Sequence, residues 1–337
     1  MNTNELKNNI EIVLKANLVP FIVGQPGSGK SEVVAQVAKD MGAYLIDMRL
    51  AQLTPEDLNG LPFPDEETGT FSYFPLGQFP LKEIHDKPKK PVIIFLDELS
   101  SCAPDVQVSA YRLILDRQVG EYDLHDNVYI IGAGNREEDN AVVQSMSTAL
   151  RSRMVHFELQ VSTDSWLKWA SQNGVDERVI AFINYAPNML NTFSTFESED
   201  TLTYATPRTI VMLSKVLEYI KKVSVKHTEL ITGIVGTKAG TAFISFVTVF
   251  NKLPSFEEIV KNPRKIKVSD RGDINVAIVA TLNNRVSRTT IKEVCIYVNR
   301  LPLEYQTLFY KTLTYNNKLL LISSHVKNWI ANNSELF

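Results

Sequence analysis

Two stretches hold residues whose types and spacing suit them to phosphate chemistry. Gly24-Gln25-Pro26-Gly27-Ser28-Gly29-Lys30-Ser31 fits G-x-x-x-x-G-K-[ST] at every position. Glycines let the backbone wrap closely, so that its N–H groups face phosphate oxygens. A helix starting at that point adds the partial positive charge of its N-terminus. Lys30 can neutralise the outer phosphates, and Ser31 offers a hydroxyl to Mg²⁺, which takes oxygen ligands. Downstream, Val92-Ile93-Ile94-Phe95-Leu96 is an apolar run closed by Asp97 and Glu98. Asp97 is expected to share the metal, and Glu98 to take a proton from an attacking water. ATP and Mg²⁺ are the expected ligands.

Four more residues are candidates. Asn135 closes the run Tyr129–Gly134, and either orients the same water or serves as a turn residue. Arg151 and Arg153 lie just before the last apolar run. A guanidinium there can reach a phosphate on a neighbouring subunit, although arginines at a helix end also serve the surface or the helix dipole. Thr206-Pro207-Arg208 opens a helix, with Thr as cap and Pro in the first turn. A cation at a helix start is disfavoured by the dipole, so Arg208 is easier to understand if it reaches an anion elsewhere.

Positioning these residues takes alternating elements. The spacing predicts strands over Pro20–Val23, Tyr44–Met48, Val92–Leu96, Tyr129–Ile131 and Val155–Leu159, with a helix over Ser31–Met41. Strands alternating with helices imply a parallel sheet covered on both faces. Leu53–Pro80 breaks the rhythm with five prolines, aromatic residues and a predicted hairpin around Phe71-Ser72-Tyr73. Its aromatics either engage a partner or a pore, or pack on their own scaffold. After Leu159 the pattern is helical: Ser165–Ala170, Glu177–Tyr185, Pro207–Val223, Ala239–Phe250, Asp273–Asn283, Thr289–Asn299, Leu303–Tyr315 and Leu319–Asn332. Leu253–Gly272 reads as a linker or long loop. The expected domains are an α/β core over 1–160, a helical lid over 161–252 and a helical extension over 253–337.

Composition sets outer limits. The 337 residues carry 44% hydrophobic and 22% charged residues, which is ordinary for a globular protein. The net charge of −3 gives the whole chain no footprint for nucleic acid. From Asn251 onward 13 Lys/Arg stand against 7 Asp/Glu, a mildly basic tail on an acidic body. Cys102 and Cys295 form no CxxC pair, so neither a disulfide framework nor a zinc site is expected. No leader peptide is recognised, and the run Ala242–Phe250 is too short to span a bilayer. A reducing, cytoplasmic location without membrane attachment is expected.

Taken in order, GQPGSGKS (24–31), FLDELSSCAPDVQVSAYRLILDRQVGEY (95–122), GAGNREEDN (132–140), ALRSRM (149–154) and TPRT (206–209) resemble the AAA+ ATPases, and within them the MoxR-like group. TGTFSYFPLGQFP (68–80) looks like the hairpin insert of that group, and NRLPLEYQTLFYK (299–311) like its bacterial and phage helical tail. The resemblance implies a sheet of order 5-1-4-3-2 and a ring of six subunits, with ATP at each boundary. It makes Asn135 the sensor 1 residue, Arg153 or else Arg151 a finger acting in trans, and Arg208 the sensor 2 residue. It also implies a protein client, or a von Willebrand A-type or metallopeptidase-like partner. Ser152-Arg153-Met154 departs from the Asp-Arg-Phe of many members, which keeps Arg151 in contention. A nucleic-acid motor rests only on the basic tail. A small-molecule kinase would not need the strand-end Asp-Glu, the Asn and the arginines together. No Asn-Lys-x-Asp motif favours guanine over adenine.

Overall fold

β-Branched and aromatic runs bounded by turns form five parallel strands at the centre of the N-terminal part: β1 (Val19–Val23), β2 (Tyr44–Arg49), β5 (Val92–Asp97), β8 (Val128–Gly134) and β9 (Met154–Glu158). The computed structural model describes all residues except 66–68, 137–145, 194–201, 251–252, 317 and 337. It divides into two compact units, Met1–Val161 and Ser162–Phe337.

In the first unit the sheet order is β2-β5-β8-β1-β9. Numbered among the parallel strands alone and read from β9, this is the expected 5-1-4-3-2. Alternation along the strands builds one core on each face. Ile22, Ile93, Phe95 and Ile131 pack with α1 (Thr3–Lys15) and α2 (Lys30–Asp40). Phe21, Val92, Ile94, Leu96 and Ile130 pack with α3 (Pro55–Asn59) and α4 (Pro104–Leu115). Each wholly buried Ile or Phe here contributes enough that truncation to Ala would cost about 2–5 kcal/mol. The sequence reading missed α1 and α4. α1 starts from an Asn2–Glu5 capping box, and Pro104 occupies the first turn of α4.

The predicted hairpin forms. β3 (Leu61–Asp65) pairs antiparallel with β4 (Thr70–Phe74), with Phe63 opposite Ser72 and Leu61 opposite Phe74. A second short hairpin joins β6 (Gln118–Val119) to β7 (Tyr122–Asp123). The last element before β9 is α5 (Thr148–Arg151), capped by Ser147.

The second unit is helical in its described residues. Helix 207–217 starts at Thr206, whose hydroxyl accepts the Thr209 N–H at 3.2 Å. Helix 272–285 packs on helix 177–185 and on helix 303–316, so segments on both sides of 253–272 are in contact. Three sequence expectations need correction. Phe256–Lys261 is a helix inside the expected loop, because Ser255 and Glu258 form a capping box. The predicted helix Leu319–Asn332 is instead a 3₁₀ turn, Lys318–Ile322, followed by helix Ser324–Asn332. The apolar run near Ala242 belongs to a longer helix, Thr228–Phe250, bent at Gly236 (φ 80°). By length and composition Val225–Thr248 is long enough to cross a membrane, but half of it is buried within the unit. Phe243 packs edge-on to Phe182 at 5.3 Å, as in the core of a helical domain.

Candidate functional site

The glycine-rich loop leaves β1 and enters α2 through Gly29, whose φ of 98° no β-carbon tolerates readily. No side chain caps α2, so its first turn points backbone N–H groups at whatever lies in the loop. The Ser28 hydroxyl is buried and has no hydrogen-bond partner among the described residues. A buried donor without a partner is costly unless something fills the loop, and a phosphate oxygen is the acceptor that fits.

Lys30 is 9% exposed and lies across the ends of two strands. Its ammonium donates to Gly24 O at 2.7 Å, to Gln25 O at 3.1 Å and to Asn135 Oδ1 at 2.9 Å. Ser31 Oγ donates to Asp97 Oδ2 at 2.9 Å, and the Glu98 N–H donates to Asp97 Oδ1 at 2.9 Å. Lys30, Ser31, Asp97, Glu98 and Asn135 thus meet where β1, β5 and β8 end side by side. Carboxyl ends of parallel strands are where open α/β sheets bind ligands. The reason is topological: β8 runs between β1 and β5, so a residue distant in sequence fills the gap between the loop and the carboxylates.

The Ser31 hydroxyl and Asp97 carboxylate are the oxygen donors a hard divalent cation takes. Among the described residues no group of three or more His, Cys, Asp or Glu forms a metal cage. Mg²⁺ at a phosphate site needs none, because one or two protein oxygens join the phosphates and water.

Glu98 has φ 61°, in the left-handed region that a residue with a β-carbon enters at a cost of about 1–3 kcal/mol. The strand therefore stops at Asp97, and Glu98 leaves the alternation of β5. Sequence periodicity gave no sign of this. Two charged neighbours were also missed. β2 pairs with β5 so that Arg49 lies beside Asp97 and Asp47 beside Phe95. Burial, and then the Asp97 charge, hold the Asp47 carboxyl above its ordinary value, while Arg49 pulls it down.

The arginines stand apart. Arg153 is exposed, donates to Ala149 O at 2.7 Å and lies over the Tyr111 ring at 5.0 Å. Arg151 is exposed, and among the described residues its guanidinium has no hydrogen bond or ion pair. Neither is bonded to the Lys30–Asn135 cluster. Arg136, beside Asn135, pairs with Glu158 at 2.6 Å and ties the end of β8 to that of β9. Arg208, exposed in the first turn of helix 207–217, belongs to the second unit. Much of the motif around 132–140 lies outside the described residues.

The family model of the AAA domain (dynein-related subfamily) matches residues 20–154. This stretch is an AAA domain. It begins in β1 and ends at the first residue of β9, so it encloses the glycine-rich loop, both carboxylates, Asn135, Arg151 and Arg153. The AAA domain binds and hydrolyses ATP, which makes the chain an ATPase. Among solved structures, the chain is similar to the RuvB Holliday junction branch migration motor of Thermotoga maritima, at 18% identity, 86% of this chain, 84% of that one and TM-score 0.41. It is also similar to NtrX from Brucella abortus in complex with ATP, at 16% identity, 99% and 67% coverage and TM-score 0.37. No curated protein matches the chain.

Proposed function

We propose that the chain is a MoxR-like remodelling ATPase that works as a ring of copies on a protein partner. The observation that carries this reading is the contrast within the AAA domain. Its phosphate-facing residues are bonded to one another, whereas Arg151 and Arg153 are exposed and bonded to none of them. An arginine left outside a complete cluster is suited to the phosphate of another subunit. Head-to-tail packing that closes into a ring, six subunits in the resembling group, supplies such a boundary at every copy.

In this reading Lys30 holds the outer phosphates, and Ser31 with Asp97 holds Mg²⁺. When bound, the metal would neutralise charge on the phosphate oxygens. Glu98 takes the proton of the attacking water, and Asn135 orients that water. One of Arg153 and Arg151 steadies the phosphate from the next subunit. Arg208 reports phosphate loss from a lid over 161–252, with 253–337 as an extension. The hairpin insert, near 53–80, is the element offered to the partner, since Phe63, Phe71 and Phe74 are 53%, 65% and 55% exposed. Exposed aromatic clusters mark interaction sites more often than chance. The partner is a protein client, or a von Willebrand A-type or metallopeptidase-like protein, in a reducing cytoplasmic setting that suits two buried free thiols.

Mixing tests the trans arrangement. Subunits with Glu98→Gln are combined with subunits carrying Arg153→Ala, and separately with Arg151→Ala. Recovery of turnover by one combination identifies the finger, and no recovery in either combination defeats the ring reading. A pull-down with Glu98→Gln tests for the protein partner, and salt-sensitive binding of DNA in its place would favour a nucleic-acid motor.

A further inference from the structure

Ser100 sits in the turn after Glu98 and is 3% exposed. Its hydroxyl accepts the Asn135 N–H at 2.9 Å and donates to the Asn135 carbonyl at 3.4 Å. One residue earlier, the Leu99 N–H donates to Ala133 O at 2.9 Å. Regular pairing of β5 with β8 ends at Leu96 and Gly132. The left-handed turn at Glu98 carries the main chain away from the ladder, and a side-chain hydroxyl takes up both backbone groups of Asn135 in its place. The fit is tight. A β-carbon on Gly134 would lie 2.5 Å from Ser100 Oγ and 2.9 Å from the Phe21 ring. Glycine at 134 and serine at 100 are therefore one device.

We propose that Ser100 is a positioning residue for ATP hydrolysis: it pins the main chain of Asn135 to the turn bearing Glu98, so the water-orienting amide and the base keep a fixed separation. This rests on the reading of Asn135 given above. Glu98 and Ser100 are two residues apart on one turn, so a shift of that turn moves base and amide together. A hydroxyl is suited to the task because it donates and accepts at once. Neither an alanine nor a further backbone hydrogen bond does so at that point.

Ser100→Ala removes the oxygen and keeps the β-carbon. Loss of transition-state alignment alone should lower kcat about tenfold. The KM for ATP and the Kd of a fluorescent ATP analogue should stay within about twofold, because binding common to ground and transition states is untouched. In an Asn135→Ala background Ser100→Ala should have no further effect on kcat, since residues acting through one another are non-additive. Equal losses in both backgrounds overturn the proposal. So does a melting temperature lowered by more than about 10 °C with parallel loss of analogue binding, the signature of a purely structural serine. An Asn135→Ala single variant with unchanged kcat brings down the reading of Asn135 itself, whereas additive losses bring down only the role of Ser100.

Discussion

The phosphate cluster and the arginine pair belong to the same AAA domain and are built in opposite ways. Lys30, Ser31, Asp97 and Asn135 have their donors and acceptors joined across three strand ends. Glu98 is fixed beside them by its main chain, in a backbone conformation that costs energy. Arg151 and Arg153 lie at the exposed end of a single short helix. A group that must grip its ligand within the subunit is fixed by the fold. In the proposed reading, a group that acts across a boundary would be left with freedom to be fixed by the neighbour. The difference separates what one folded chain completes from what the proposed ring would add.

The comparison breaks most severely at Lys30. Lys30→Ala should abolish nucleotide binding, weakening a fluorescent ATP analogue by more than about a thousandfold and ending turnover with it. Analogue titration measures this, and binding near the original level would show that the cluster does not hold phosphate. Next come the arginines. If one of them acts in trans as proposed, its substitution should lower kcat about a thousandfold while leaving analogue binding intact. The other arginine should change kcat by less than about threefold, which a steady-state phosphate assay separates. If both substitutions are silent, the exposed arginines are surface residues.

Glu98→Gln should lower kcat by about a hundredfold or more at unchanged analogue affinity, since only the proton acceptor is lost. Loss of affinity in parallel would reassign Glu98 to binding. Smaller still is the hairpin. Replacing Phe71, Tyr73 and Phe74 by serine should leave basal ATPase within about twofold, because none of the three touches the cluster, and should remove stimulation by a partner. Unaltered stimulation would place the partner surface elsewhere.

The smallest effect concerns Cys102, beneath the turn that carries Glu98. Burial pushes its thiol from 9.0 to about 11. Alkylation at pH 8 should be slow in the native protein and fast in denaturant, because the thiolate is the nucleophile. The folded value is raised, so stability is undiminished by this group while the unfolded thiol stays protonated, below about pH 9. Stability then falls as pH climbs from about 9 toward 11. Rapid native labelling at pH 8 would mean that the turn opens readily.

Much of the site was legible in the sequence, for physical reasons that differ by residue. The glycine-rich loop was legible because close backbone approach to phosphate demands glycine at fixed spacing. Asp97 and Glu98 were legible because an acidic pair closing an apolar run, weak evidence alone, comes downstream of a glycine-rich phosphate loop. Asn135 was ambiguous, since an asparagine after glycine also suits a turn. The hairpin was recognised from its turn and aromatics, but the first strand, Leu61–Asp65, was hidden by its two prolines. Helix 256–261 was hidden by the prolines and charges around it. Ser100 gave no signal, because a serine in a turn is common and its partner lies 35 residues away.

Residue types and their local order were enough to determine the loop, the carboxylates and the alternation of strand and helix. These follow from forces acting over a few residues: steric freedom, burial of apolar runs and helix capping. Only the tertiary structure decided that β8 lies between β1 and β5, which brings Asn135 to within 2.9 Å of Lys30. It also decided that Glu98 departs from its strand, that Ser100 extends the ladder, and that Arg151 and Arg153 stay outside the cluster. Strand order and side-chain exposure depend on packing between segments far apart in the chain, where local propensity has no influence.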